Sequence, residues 1–118
     1  MSKKVLVISS SLRSIVTITA LISKGITDSS LKYHLSTART NGGGQLLICV
    51  DGEGWYQEEG KPAQSLSVGD VVTIPANVKH WHGAKADSWF SHIAVEVPGE
   101  DCRNEWCEPV SDTEYNAL

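Results

Sequence analysis

The segment "GDVVTIPANVKHWHGA", residues 69–84, holds the densest group of side chains able to do chemistry. His80 and His82 flank Trp81, and the alternation of a strand puts both imidazoles on one face and the indole on the other. His92, in "WFSHIAVEV", shares a face of the following strand with Phe90 and Ala94. Imidazoles gathered on an inner face could ligate a metal, hold a substrate carboxylate, or join one another through water. A strand histidine is more often a hydrogen-bonded core or rim residue. Three of them on adjacent strands, after a Gly-x5-Pro turn, point instead to a pocket.

Other residues are weighed against that pocket. Arg39, expected near its mouth, would bind an anionic substrate bidentately or form a structural ion pair. Trp55 and Tyr56 are strand neighbours, so one of any such pair faces away; Trp55 is taken as a pocket residue. Glu58, Glu59 and Lys61 read as a solvated hairpin tip. Asp87 and Glu96 have no paired carboxylate, which leaves a two-carboxylate mechanism without support. Cys49 sits in an apolar strand pattern as a buried thiol. Cys102 and Cys107 form no CxxC pair and have no local base to make a nucleophile of either.

The elements that must position these residues are strands. "VLVIS", "IVTITALI", "LLICV", "DVVTIP" and "SWFSHIAVEV" are β-branched or apolar runs, separated by "DGEG", "EEGKP" and "SVGD". Short strands at this spacing, with no crossover helices between them, predict an all-β antiparallel sandwich or barrel. A short C-terminal helix is expected from "SDTE", Ser111 to Glu114, which fits a capping box. Trp106 and Pro109 are expected to pin the tail before it onto the barrel. The 118 residues suit one domain with a buried core, and a formal charge of -4 carries no footprint for nucleic acid or an anionic membrane. No apolar run reaches the roughly 20 residues of a bilayer span, and "KKVLVI" is cut short as a signal sequence by Ser9, Ser10 and Ser11. A cytoplasmic protein is expected.

Gly69, Pro75 and His80 fall in register with the second motif of the cupins, G-x5-P-x-G-x2-H-x3-N. Asn77 replaces the motif glycine, and Gly83 and Ala84 stand near the final Asn position. Residues 45–118, and more loosely 31–118, resemble the small single-domain cupins related to carboxymuconolactone decarboxylase-associated proteins and cupin hydroxynitrile lyases. That resemblance implies a jelly-roll barrel (a double-stranded β-helix), commonly a homodimer, with a small-molecule pocket at the barrel mouth. In this subgroup a first motif, A-R-T-x-W-H-x-H-P-x-G-Q, joins the second-motif His in binding Mn, Ni, Fe or Zn. Here "ARTNGGGQ" keeps Ala38, Arg39, Thr40 and Gln45 but lacks the W-H-x-H step. Gln45 and His80 match ligand positions; His34, in "LKYHLST", is the candidate for rescuing the set, with His82 or His92 as further candidates. Gly42 to Gly44 would supply the backbone freedom for a sharper reconnection.

Residues 1–30 depart from the cupin pattern and are expected to add a strand, 31–118 forming the barrel. "KKVLVISSSLRS" resembles the first strand and phosphate loop of flavodoxin-like FMN reductases. "IVTITALIS" after it suits a strand rather than the helix such a site needs, so FMN is not expected. The expected function is small-molecule binding at an incomplete metal site. One rival is a metal-dependent enzyme of lyase, isomerase or decarboxylase type, with His92 as base and His82 at the substrate. The other is a structural or dimerisation module.

Overall fold

A computed structural model describes residues 6–10, 16–24, 31–39 and 42–118, with side chains from residue 31 onward in these ranges. The strands are β1 (Leu6–Ser10), β2 (Val16–Lys24), β3 (Lys32–Thr37), β4 (Gln45–Gly52), β5 (Gly54–Glu58), β6 (Gln64–Leu66), β7 (Val71–Ile74), β8 (His80–Ala84), β9 (Trp89–Glu96) and β10 (Arg103–Pro109), followed by helix α1 (Asp112–Asn116). They form two five-stranded antiparallel sheets, ordered β1-β2-β9-β4-β7 and β10-β3-β8-β5-β6. Consecutive strands repeatedly cross between the sheets, which is the antiparallel arrangement that the strand spacing predicts and the jelly roll that the cupin resemblance implies. Among the described residues, no helix is long and apolar enough to cross a membrane.

Alternation sorts each strand's residues between core and exterior. Leu47 and Cys49 on β4, Tyr56 on β5, Val72 and Ile74 on β7, Ala84 on β8 and Phe90 on β9 make the apolar core. Cys49 is buried there, as its strand pattern predicts. Further along the same inner faces the residues turn polar: Gln45 on β4, His80 on β8, His92 on β9 and His34 on β3 are all buried. The barrel is therefore apolar at one end and lined with imidazole and amide groups at the other.

Strand β8 is buried on both faces because the C-terminal segment covers its outer side. Trp81 is fully buried, donates its indole N–H to Gln57 Oε1 at 2.9 Å, and packs its ring against Tyr115 of α1. Tyr115 in turn donates its hydroxyl to the Ala84 carbonyl at 2.7 Å. The capping box forms as the sequence predicts: Ser111 Oγ accepts the Glu114 N–H, and a Glu114 carboxylate oxygen accepts the Ser111 N–H. A Tyr33 hydroxyl bond to Glu114 adds to the seal. This helix, with Tyr115, fastens the last residues, while the stretch before it that carries Trp106 and Pro109 is β10, paired with β3 of the barrel. Trp106 lies exposed on the outer strand β10 and contacts His34.

The N-terminal residues contribute β1 and β2, at the runs "VLVIS" and "IVTITALI". β2 runs antiparallel to β9, placing Leu21 opposite His92 in the backbone register, and β1 continues the sheet as its edge. Residues 11–15, which carry the end of the serine-rich turn, lie outside the described residues. The segment "VTITALISK" is a strand, as its β-branched content favours.

Candidate functional site

A cavity of about 230 Å³ opens at the polar end of the barrel, lined by His34, Gln45, His82, Ala94, Glu96, Asn104 and Trp106. Five strands, β3, β4, β8, β9 and β10, carry these side chains. Gln45 starts β4 directly opposite Glu96 of β9, and His34 of β3 pairs with His80 of β8 on one side and Trp106 of β10 on the other. The reconnection before Gln45 needs its glycines: Gly42, Gly43 and Gly44 all adopt left-handed φ, and the Val97 N–H bonds to the Gly44 carbonyl at 3.0 Å. Asn77, standing where the cupin motif has glycine, also takes a left-handed φ of 69°, which asparagine tolerates better than most residues.

Hydrogen bonds fix the rim. Gln45 Nε2 donates to Glu96 Oε1 at 3.0 Å, and Asn104 Nδ2 donates to Glu96 Oε2 at 3.3 Å. Asn104 also bonds to the His34 side chain. With its amide nitrogen committed, Gln45 Oε1 is buried with no hydrogen-bond partner among the described residues, although the side chain is only 6% exposed. His80 makes a 3.0 Å contact from Nδ1 to the Val78 carbonyl, which must accept a proton, so Nε2 is the unprotonated nitrogen of the neutral ring. That Nε2 and His82 Nδ1 also lack partners among the described residues.

The four histidines form a chain of ring contacts: His34 to His80 at 5.4 Å, His80 to His82 at 5.9 Å, and His82 to His92 at 4.7 Å between centroids. Burial lowers the pKa of His34, opposed by Glu96. Burial also lowers that of His80, with the Val78 carbonyl and Glu58 opposing and His34 adding to the effect. His82 opens partly to the cavity yet is enclosed by protein at longer range. Its pKa is driven well below 6.5, first by burial and then by His92, His80 and His34. At neutral pH these three rings are uncharged hydrogen-bonding groups.

For the divalent ion that the resemblance implies, Gln45 and His80 match ligand positions of an incomplete site, and His34, His82 or His92 are the rescue candidates. Among the described residues, no three His, Cys, Asp or Glu side chains converge as a metal's ligands do. The contacting imidazole rings stand 4.7–5.9 Å apart between centroids, on β3, β8 and β9. As arranged, the residues do not fit the ion.

Two other expected pocket residues lie elsewhere. Arg39 sits in the loop after β3, its backbone N–H tied to the Glu100 carbonyl, and its guanidinium reaches Asp101 at 3.4 Å and Glu100 at 3.6 Å. With 67% of its side chain exposed, it is a surface ion-pair residue. Trp55 faces outward from β5 under Lys85, whose ammonium is 4.6 Å from the ring centroid, and lines a separate cavity with Glu53 and Tyr115. Its neighbour Tyr56 is the one that points inward, its ring 5.7 Å from that of His80. Glu58 is less solvated than a hairpin tip would be. It accepts from Tyr56 and Lys61, with Lys61 the main cause of its lowered pKa.

The rim residues Glu96, Asn104 and Trp106 are absent from the expected pocket. Glu96 was readable in principle, since it continues the Phe90, His92, Ala94 alternation on β9.

No protein-family model matches the chain. Over 72 residues it is 38% identical to the (R)-mandelonitrile lyase of Granulicella tundricola, a match covering 61% of this chain and 55% of that enzyme. Among solved structures, a cupin-like protein of Thermotoga maritima is similar with a TM-score of 0.68 and 34% identity, over 86% of this chain and 71% of that one. A double-stranded β-helix protein from Klebsiella pneumoniae is similar in fold alone, with a TM-score of 0.66 at 15% identity over 90% of this chain and 80% of its own. The motif spacing, the two interleaved sheets and these likenesses place the chain among the cupins.

Proposed function

We propose that this cupin binds a small polar molecule directly on side chains at the barrel mouth, without the family's metal centre. The observation that carries this reading is a pair of buried polar atoms on residues that line the cavity, Gln45 Oε1 and His82 Nδ1, that lack partners among the described residues. Buried acceptors and donors left unpaired cost about 1–3 kcal/mol each. A pair of them beside an open cavity is the arrangement that a ligand, or water awaiting displacement by one, would satisfy. At about 230 Å³ the cavity suits a ligand of only a few heavy atoms. Elemental analysis of protein purified without chelators is expected to find far less than one divalent ion per chain, with no change in His80→Ala. Stoichiometric metal that disappears in that variant would sink the reading in favour of a metal-dependent enzyme.

The likeness to a mandelonitrile lyase favours one second reading, catalysis. The match covers 55% of that enzyme, and the nearest candidate for a proton acceptor here is His92, whose ring lies against His82 and Phe90. With mandelonitrile as the test compound, the binding reading expects no turnover above the buffer rate. Turnover by the wild type that falls at least about tenfold in His92→Gln, within the range general-base catalysis contributes, would install the catalytic reading instead.

A further inference from the structure

We propose that the molecule taken at the barrel mouth is a small organic cation, a primary or secondary ammonium, held by Glu96, Gln45 and the face of Trp106. The inference rests on the reading of this cavity as a ligand site and names the chemical class it selects. Three features point the same way. Among the described lining residues the single carboxylate is that of Glu96, and there is no Lys or Arg to meet an anion. Both Glu96 oxygens already accept an amide N–H, from Gln45 and Asn104, yet a carboxylate has about four acceptor positions, so it is fixed in place with capacity left. Gln45 Oε1, turned free by that same bond, is a second buried acceptor at the lining.

An acceptor pair of this kind is matched by a ligand that brings N–H donors and positive charge, and is mismatched by a carboxylate or phosphate. Trp106 supplies the third element. It lines the cavity while remaining 69% exposed, and one side of its ring is taken by His34 at 4.9 Å between centroids. An indole at the rim of a site that contains a carboxylate is the favoured aromatic partner for a cation. The imidazoles of His34 and His82 are kept uncharged by burial and so do not repel it.

The test uses three probes of matched size: n-propylammonium, n-propanol and propionate. Each is titrated into the full chain while the imidazole resonances of His34 and His82 are followed by NMR. The expected result is that n-propylammonium alone shifts both sets saturably. Its affinity should drop about threefold in Trp106→Ala, the change worth about 0.5–1 kcal/mol for an exposed cation–π contact, and at least about tenfold in Glu96→Gln. Trp106 is exposed, so its variant keeps the test informative even where Glu96→Gln disturbs the rim. Propanol or propionate binding as well as the ammonium would overturn the cation while leaving the cavity a ligand site. No shift with any of the three would overturn both.

Discussion

Replacing Gly44 with alanine is expected to cost about 3 kcal/mol or more, read as a lowered urea midpoint at unchanged slope. Gly44 has a φ of 85°, and a Cβ there would fall well inside van der Waals distance of the Ile74 carbonyl oxygen and 2.8 Å from the Ala76 nitrogen. Strain at a left-handed non-glycine residue costs about 1–3 kcal/mol, and forcing an extra carbon into packed structure costs about 1–3 kcal/mol more. Neither neighbour can rotate away, because both atoms belong to the backbone. Gly60 provides the control. Its φ is 78°, but a Cβ there meets nothing within 4 Å, so Gly60→Ala should lose only the strain. Equal losses at the two positions would refute the argument from the close approach of the β3–β4 connection to the end of β7. Because Gly44 precedes Gln45, a variant that still folds should also disturb the rim.

The two interleaved sheets were readable from the chain because turn residues punctuate it closely and the inner positions alternate. β4, β7 and β9 fall within a residue or two of "LLICV", "DVVTIP" and "SWFSHIAVEV". β10 was not readable. "RNEWCEP" carries charged residues on both faces, since it is an edge strand exposed along nearly its whole length, and burial is what writes a period into a sequence. Alternation stated that Trp55 and Tyr56 must part company but could not say which faces in. That is decided by the β5–β8 register, which sets Tyr56 opposite His82.

The site was legible in its imidazoles and illegible in its rim. His34, His80, His82 and His92 gather because strands from both sheets bring their inner faces together. Glu96, Asn104 and Trp106 come from the end of β9 and from β10, and their meeting with Gln45 depends on pairings remote in sequence, such as Gln45 with Glu96 and Trp106 with His34. Arg39 was expected at the mouth because it sits six residues before Gln45 in a familiar string. The acidic pair Glu100 and Asp101, brought close by the loop after β9, draws it outward instead. The absence of the W-H-x-H step was visible at once. Its consequence was not, since only coordinates tell whether the remaining imidazoles converge.

Acid is expected to unfold this protein earlier than its carboxylates alone would dictate. In the folded chain His34, His80 and His82 have pKa values lowered chiefly by burial, whereas in the unfolded chain each returns to 6.5. Below that value the unfolded state binds protons that the folded state refuses, so stability is level above about pH 6.5 and falls as the pH drops beneath it. Each imidazole that stays neutral contributes a slope of up to about 1.4 kcal/mol per pH unit. The groups facing these rings temper the effect without reversing it: Glu96 opposes the lowering at His34 and Glu58 at His80, while the neighbouring imidazoles reinforce it at His82. Glu58, whose own pKa is lowered mainly by Lys61, adds a loss in the same direction but in the carboxylate range, below 4.5. Urea unfolding measured at intervals from about pH 7.5 to about pH 5 therefore isolates the histidines. Stability that stays flat over this range would refute the buried neutral cluster. In His82→Phe the slope should fall by the share of one imidazole. The wild-type slope should be indifferent to a chelator, because a metal held on neutral rings would be displaced by the same protons and would make the acid loss steeper.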